Sequence, residues 1–423
     1  MLKIYRSSDE FFQAQKAVTE VDGGLRNGVA EIIAGVQKGG DAALRRFTEK
    51  FDGAKLTSFP VPRKLIDESL QKLDAKLRET LQRAIENVSR FHEKQRPKSW
   101  LEESADGSRM GLQFNPIQNA GIYVPGGRAA YPSTVIMTVV PAQIAGVDRI
   151  ALVSPPTCDG GVNSLVLAVA GLLGIGEIYA VGGAQAIAAL TYGTETIPRV
   201  DKIVGPGNAY VNEAKRQVFG VVGIDSLAGP SEVVILADET ARAEFVSRDL
   251  LAQAEHDPDA RTILVTTSER LVAEVVAFIE SVLPKLPRKE IAQESLAGNG
   301  GVVFAKNCEE GIDIVNRIAP EHLQIFTRNA DEALAQIRNA GAIFFGEFSP
   351  VAIGDYFAGS NHVLPTAGTA RFASPLGVWD FMKCSSVVHY SKERFQTDAP
   401  HVARFAESEG LINHQLSVEC RNE

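Results

Sequence analysis

Arg149-Ile150-Ala151-Leu152-Val153, then Asn163 to Leu173, Glu177-Ile178-Tyr179-Ala180-Val181 and Ala184 to Thr191, form the stretch that decides the fold. Short apolar runs alternate with longer Ala- and Leu-rich segments, and glycine or proline separates each pair. The short runs are apolar without interruption, so neither face can be wet. That pattern predicts parallel strands covered on both sides, with the longer segments as crossover helices.

The alternation extends in both directions. Ile122-Tyr123-Val124, Val200 to Val204 and Gly223 to Ser226 are further strands, and Thr134 to Ala145 and Asn208 to Phe219 further helices. A second series follows. Its strands are Val233 to Ala237, Thr262 to Thr266, Gly301 to Ala305, Leu323 to Phe326 and Ala342 to Phe345. Helices are expected near Arg242 to Ala254, Arg270 to Val282, Glu309 to Arg317 and Asp331 to Asn339. The fold class is α/β: two tandem Rossmann-like parallel-sheet units, residues 116–230 and 231–372, with a site in the cleft between them. Residues 1–115 are expected to be an N-terminal helical segment packing with the second α/β unit, because Leu65, Leu70, Leu73, Leu77 and Leu81 recur at helical spacing. Residues 373–423 read as a small C-terminal helical tail, ending in a long polar helix from Lys392 to Glu407. With little apolar periodicity of its own, the tail is expected to dock on a partner subunit.

The 423 residues, 45% hydrophobic and 22% charged, suit a folded chain of about three compact units. The formal charge of -9 disfavours nonspecific attraction to nucleic acid or an anionic membrane. Four dispersed cysteines, Cys158, Cys308, Cys384 and Cys420, offer neither a CxxC zinc pair nor a disulfide framework. Met1 to Lys16 lacks the apolar centre of a signal peptide, and Leu165 to Ile175 is well short of the about 20 residues that span a bilayer. A cytoplasmic protein is expected.

Four segments can carry chemistry. On the helix ending at Pro258, Val246 and Leu250 share a face that continues through Gln253 to His256, so a buried stripe turns polar at its end. An amide oxygen and an imidazole converging there can ligate a metal, or His256 can simply favour the helix dipole. Ile353 to His362 reads as a glycine-bounded polar loop, with Asp355 as a carboxylate ligand or a cap and His362 as a ligand or substrate contact. Ala319-Pro320-Glu321-His322-Leu323 sets a carboxylate beside an imidazole before a strand. The two can act together only if Pro320 bends the chain, and Glu-His pairs are also ordinary surface sequence. Glu407 to His414 adds another carboxylate and another imidazole in the tail. The turns Gly126-Gly127, Gly182-Gly183 and Gly205-Pro206-Gly207-Asn208 each join a strand to a helix, where a pyrophosphate could dock. Tyr210 occupies the third glycine position of the dinucleotide fingerprint, so that motif is absent.

Taken together, these segments resemble the histidinol dehydrogenase family from about Arg26 to Leu416. The resemblance rests on Ile224-Asp225-Ser226-Leu227-Ala228-Gly229-Pro230-Ser231-Glu232 and Gln253-Ala254-Glu255-His256. Ala319 to Leu323, Gly354-Asp355-Tyr356, Asn361 to Thr366 and Glu409-Gly410-Leu411 with His414 follow in order. The resemblance implies a zinc-containing homodimer, with one Zn2+ per subunit, that uses NAD to oxidise L-histidinol through L-histidinal to L-histidine. It further implies zinc on Gln253, His256, Asp355 and the partner-supplied His414, with Glu321 and His322 as the acid–base pair. Ser231, His362 and Glu409 would add substrate contacts to those of Gln253, His256, His322, Asp355 and His414. Tyr123, Gln185 and Asn208 would contact NAD. A zinc hydrolase using Glu321 on water, or a noncatalytic metal- or nucleotide-binding protein, would draw on the same residues.

Overall fold

The computed structural model describes residues 2–15, 23–126 and 131–421. β1 (Lys3–Tyr5) opens the chain, and β2 (Trp100–Glu103) and β3 (Arg109–Pro116) follow the N-terminal helices. The first series comprises β4 (Asn119–Tyr123), β5 (Arg149–Ser154), β6 (Ile178–Ala180), β7 (Lys202–Val204) and β8 (Gly223–Ile224). The second comprises β9 (Glu232–Ala237), β10 (Arg261–Thr266), β11 (Gly301–Phe304), β12 (His322–Phe326) and β13 (Ala342–Phe345), and β14 (Met382–His389) closes the set.

Both series form the expected parallel sheets. The first has the order β6-β5-β4-β7-β8. The second has the order β1-β11-β10-β9-β12-β13. In each, the chain winds outward on one side and then returns to the other, leaving a switch point between β4 and β7 and between β9 and β12. Successive residues alternate between the two cores of a sheet: Ala151 and Val153 face one, Leu152 the other. In β9, Val233, Ile235 and Ala237 face one side and Val234 and Leu236 the other. Burial on both faces is why these strands lack polar alternation.

The N-terminal helices overturn the expected packing of residues 1–115 on the second unit. Helices Gly23–Asp52, Arg63–Lys72 and Ala75–Glu93 cover the first unit instead, packing on Gly183–Tyr192, Ser164–Leu172 and Pro132–Ala145 respectively. The reason lies in the covered helices. Ten of the fourteen residues of Pro132–Ala145 are buried, so that helix is apolar all round and needs a second layer outside it. Leu65 and Leu77 of the leucine series are exposed, while Ile66, Leu81, Ala84 and Val88 enter the core. Among the described residues of this segment, β1 and the helix Ser8–Ala14 join the second unit, where β1 pairs with β11 and Phe11 enters the core, and Asn87 and His92 touch its Phe357 and Asn361.

The tail is also more integrated than expected. β14 pairs with β3, and β3 with β2, in an antiparallel sheet whose alternation the sequence did not show. Leu376, Val378 and Phe381 enter the first unit's core. Beyond β14, the helices Lys392–Ser408 and Ile412–Glu419 pack on each other and leave Phe405, Ile412 and Leu416 exposed. The helix expected over Asp331 to Asn339 is only Ala330–Leu334, and Lys289–Gly298 is a helix the pattern did not indicate. Among the described residues, no helix is long and apolar enough to cross a membrane.

A buried ion pair fixes the turn after β7. The Lys215 ammonium pairs with Asp225 and donates to the Gly205 carbonyl at 3.0 Å, while Gly205 N–H donates to Asp225 at 2.7 Å. Gly205 has φ +119, and a Cβ there would meet the Tyr123 carbonyl at 2.1 Å. Lys215 is 1% exposed, so Lys215→Met would strand the Asp225 carboxylate. Urea unfolding of that variant is expected to show a loss of about 3–5 kcal/mol, and a loss below about 1 kcal/mol would mean the pair is electrostatically idle.

Candidate active site

The first unit contributes the carboxyl ends of its strands. Tyr123 closes β4, and its buried hydroxyl oxygen accepts from Gly183 N–H, at the start of the helix after β6, at 3.1 Å. Burial pushes the Tyr123 phenol up to about 12. Gln185 is buried, and its amide donates to Asp52 at 3.2 Å. Burial drives Asp52 up to about 6, against that donated hydrogen bond. Asn208 is exposed at the start of Ala209–Val218, where its side chain accepts from Val211 N–H at 3.1 Å. These three expected cofactor contacts lie around the β4/β7 switch point. Gly127 of the Gly126-Gly127 turn lies outside the described residues.

The second unit contributes its opposite edge. Ala243–Ala254 connects β9 to β10, so its carboxyl end returns to the amino edge of the sheet. There Gln253 is buried with an amide nitrogen that has no hydrogen-bond partner. His256, just past the helix, is exposed, and its backbone N–H donates to the Gln253 carbonyl at 3.2 Å. The expected loop around Asp355 is instead the short helix Val351–Tyr356. Gly354 reflects a close approach rather than a loop boundary, since a Cβ there would meet the Phe344 ring at 2.5 Å.

Glu321 and His322 meet because the chain bends as the sequence required. Helix Cys308–Ile318 stops at Ala319 in the left-handed region, φ 53 and ψ 62, a conformation costly for alanine. Glu321 therefore precedes the strand, and one of its carboxylate oxygens lies 3.4 Å from His322 Nδ1. The same oxygen accepts from Glu232 N–H at 2.8 Å, while Glu321 N–H donates to the Glu232 carboxylate at 3.2 Å. His322 Nδ1 also lies 3.1 Å from the Glu232 carbonyl. His322 Nε2 is buried with no hydrogen-bond partner, and Asp355 Oδ1 is 3.7 Å away.

The electrostatics follow from this gathering. Burial opposes a charged His322, but the Glu321 and Asp355 carboxylates outweigh it and push the imidazole up to about 10. Burial pushes the Asp355 carboxyl up, yet His322 first, then His362 and His256, hold it below its usual range. Burial holds His362 below the ordinary imidazole value, against Asp355, and its Nε2 has no partner. Burial likewise drives Glu232 up, opposed by the Arg261 guanidinium 3.6 Å away.

The His362 segment is fastened to the first unit. Asn361 donates to the Met137 carbonyl at 2.7 Å and lies 3.3 Å from Nε2 of buried His92, and Asn87 donates to the Phe357 carbonyl at 2.8 Å. Glu321, His322, Asp355, His362 and His256 are thus gathered, with Ser231 half-buried one residue before Glu232. Glu409 and His414 are not: both are exposed on the terminal helix pair. Among the described residues no three His, Cys, Asp or Glu side chains form a metal-binding group. Gln253, His256 and Asp355 nevertheless fit part of a divalent-metal shell, because an amide oxygen, an imidazole nitrogen and a carboxylate are donors such a metal accepts and His256 lies close enough to Asp355 to hold its carboxyl down. Sequence reasoning gave Glu232 no role of its own and missed Asp52. The signal for Glu232 was a carboxylate heading an otherwise wholly apolar strand.

The model of the family described as histidinol dehydrogenase matches residues 15–422. Curated histidinol dehydrogenases are similar over most of the chain. That of Bacillus licheniformis is 52% identical over 94% of this chain and 93% of its own, and that of Geobacillus kaustophilus 50% over 94% of each. A crystal structure of the Elizabethkingia anophelis enzyme superposes with a TM-score of 0.94 at 39% identity, covering 99% of this chain and 98% of that one.

The pair beside Tyr123 gives a pH-dependent prediction. Asp52 is raised in the folded chain from 3.8 to about 6, so its contribution to stability is fully present below the unfolded value and is lost as pH rises through the folded one. Asp52→Asn should therefore be more stable than the parent at about pH 8, with the difference closing toward about pH 4. Denaturation across that range checks this; a pH-independent difference would show that Asp52 titrates normally.

Proposed function

The chain belongs to the histidinol dehydrogenase family, and from this geometry we propose that Glu321 and His322 carry the proton transfers in a four-electron oxidation of L-histidinol to L-histidine. The family implies an NAD-dependent oxidoreductase of histidine biosynthesis that also uses a metal. The observation that carries the reading is the buried imidazole of His322, whose Nδ1 is tied to the Glu232 carbonyl and whose Nε2 is free. Asp355 is one of the two carboxylates that favour a charged His322; a metal held partly by Asp355 would withdraw that pull, and the neutral imidazole, with Nδ1–H donating, then has its Nε2 lone pair available. It accepts the alcohol proton as hydride passes to the first NAD. The aldehyde stays in place, and the Glu321 carboxylate takes a proton from the water that adds to it. His322, having released the alcohol proton to solvent between the two half-reactions, then accepts a proton from the hydrate during the second hydride transfer. One water enters, and two hydrides and three protons leave.

Gln253, His256 and Asp355, with His414 of a second copy, would hold a zinc ion, which when bound anchors the substrate's imidazole and amino nitrogens beside the cofactor. Ser231, His362 and Glu409 complete the substrate contacts, and Tyr123, Gln185 and Asn208 face NAD. The exposure of His414 and of apolar Phe405, Ile412 and Leu416 on the same helix pair supports a tail that reaches a second copy.

Two NADH should form per histidinol consumed. Glu321→Gln should slow histidinal oxidation far more than histidinol oxidation in single turnovers, because only the second half-reaction consumes water. Equal losses would remove Glu321 from that role. Mixing His256→Ala chains with His414→Ala chains should restore activity, since one site per heterodimer is then intact. No recovery despite confirmed subunit exchange would place His414 in its own chain's site.

A further inference from the structure

Glu232 is the first residue of β9 and is 3% exposed, with no part in the proton transfers above. Three of its groups nevertheless touch the two residues that perform them. Its N–H donates to the Glu321 carboxylate at 2.8 Å, and its own carboxylate accepts from Glu321 N–H at 3.2 Å. Its carbonyl lies 3.1 Å from His322 Nδ1. The β9–β12 register places His322 opposite Val233, so Glu321 falls opposite Glu232 and the exchange closes the end of the ladder.

We propose that Glu232 is a positioning residue, whose carboxylate fixes the main chain of Glu321 so that the Glu321 carboxylate faces the water-addition step. This rests on the reading of Glu321 given above. Two of the three contacts are main-chain and survive substitution. The third depends on the side chain reaching Glu321 N–H, and β9 alone does not restrain that turn. Glu321 lies between Ala319, held in the left-handed region, and the first paired residue of β12. Without the Glu232 acceptor, the Glu321 N–H would be a buried donor with no partner, and the turn would shift to satisfy it.

Charge and reach can be separated at this position. Arg261 lies 3.6 Å from the Glu232 carboxylate, so a purely structural role as that cation's counterion needs the charge. Positioning needs the length. Glu232→Gln keeps an acceptor oxygen at the same reach, whereas Glu232→Asp keeps the charge and withdraws the oxygen from Glu321 N–H.

The test uses full-length metal-loaded enzyme and single turnovers, following NADH from histidinol and from histidinal separately. Glu232→Asp is expected to slow the histidinal step about tenfold to a hundredfold relative to the histidinol step, the range that misplacing a catalytic group produces. Glu232→Gln is expected to retain the wild-type ratio of the two steps. Because the readout is a ratio within one sample, an unfolded or metal-poor fraction does not alter it. Equal slowing of both steps in Glu232→Asp, or a Gln variant more selective against histidinal than the Asp variant, would overturn the inference. Glu321→Gln, measured alongside, distinguishes the two levels. If it slows both steps alike, the water-activation reading falls and this inference with it; if it is selective while Glu232→Asp is not, the inference alone falls.

Discussion

The seam between β9 and β12 is the constraint on which the site depends. Glu232 and Glu321 head that seam, and each residue's N–H is satisfied by the other's carboxylate. Two carboxylates this deeply buried are costly, and the Arg261 guanidinium beside Glu232 and the His322 imidazole beside Glu321 offset only part of that cost. The arrangement holds because the sheet on either side leaves it no freedom. β9 is buried at every residue, and its register with β12 fixes which residues stand opposite. The stability of the parallel sheet thus supports an electrostatically unfavourable cluster at its rim, as is common where chemistry rather than packing sets the residue type.

The two units carry their candidate site residues on opposite edges of their sheets. From the first come the carboxyl ends of β4 and β7, the usual crevice of an open parallel sheet. From the second come the amino ends of β9 and β12, together with the end of the helix that carries Gln253. The two edges differ in chemistry. Backbone amides and a helix amino end suit an anionic cofactor, and carboxylates and imidazoles suit a cationic amino alcohol and a metal. The Asn361 contacts to Met137 and His92 fasten a segment of the second unit to the first unit and its covering helix by hydrogen bonds.

What was legible in the sequence was whatever local pattern determines. The inner strands of the two series were readable because burial on both faces leaves them largely apolar, as with Val233 to Ala237, whereas the edge strands β8 and β13 are only partly buried. The bend between Glu321 and His322 was readable because Pro320 permits it. The N-terminal packing was not readable: an amphipathic helix shows that it has an apolar face but not which surface covers it, and Leu65 and Leu77 turned outward while Ile66 and Val88 turned in. β2, β3 and β14 form an edge-exposed sheet with little alternation, so nothing in their composition linked Arg109 to His389. Asp355 was seen as functional but assigned to a loop, because glycine at position 354 was read as freedom when it marks contact with Phe344. Glu232 was passed over because its importance lies in what its backbone touches, and that depends on register.

The tail poses a different physical problem. Its two helices bury Ala399 and Ala403 in their mutual packing and leave Phe405 68% and Ile412 64% exposed. Small residues inside and large apolar residues outside reverse the usual economy of a helix pair, which gains most by burying its largest side chains. The arrangement is reasonable only if another surface covers the outer face. Ile412 and Leu416, four residues apart, share one face of their helix, and His414, two residues from each, is exposed on another. In its own chain, His256 and Asp355 form no three-residue metal group with it. The tail exchange proposed above would give that outer face its apolar cover.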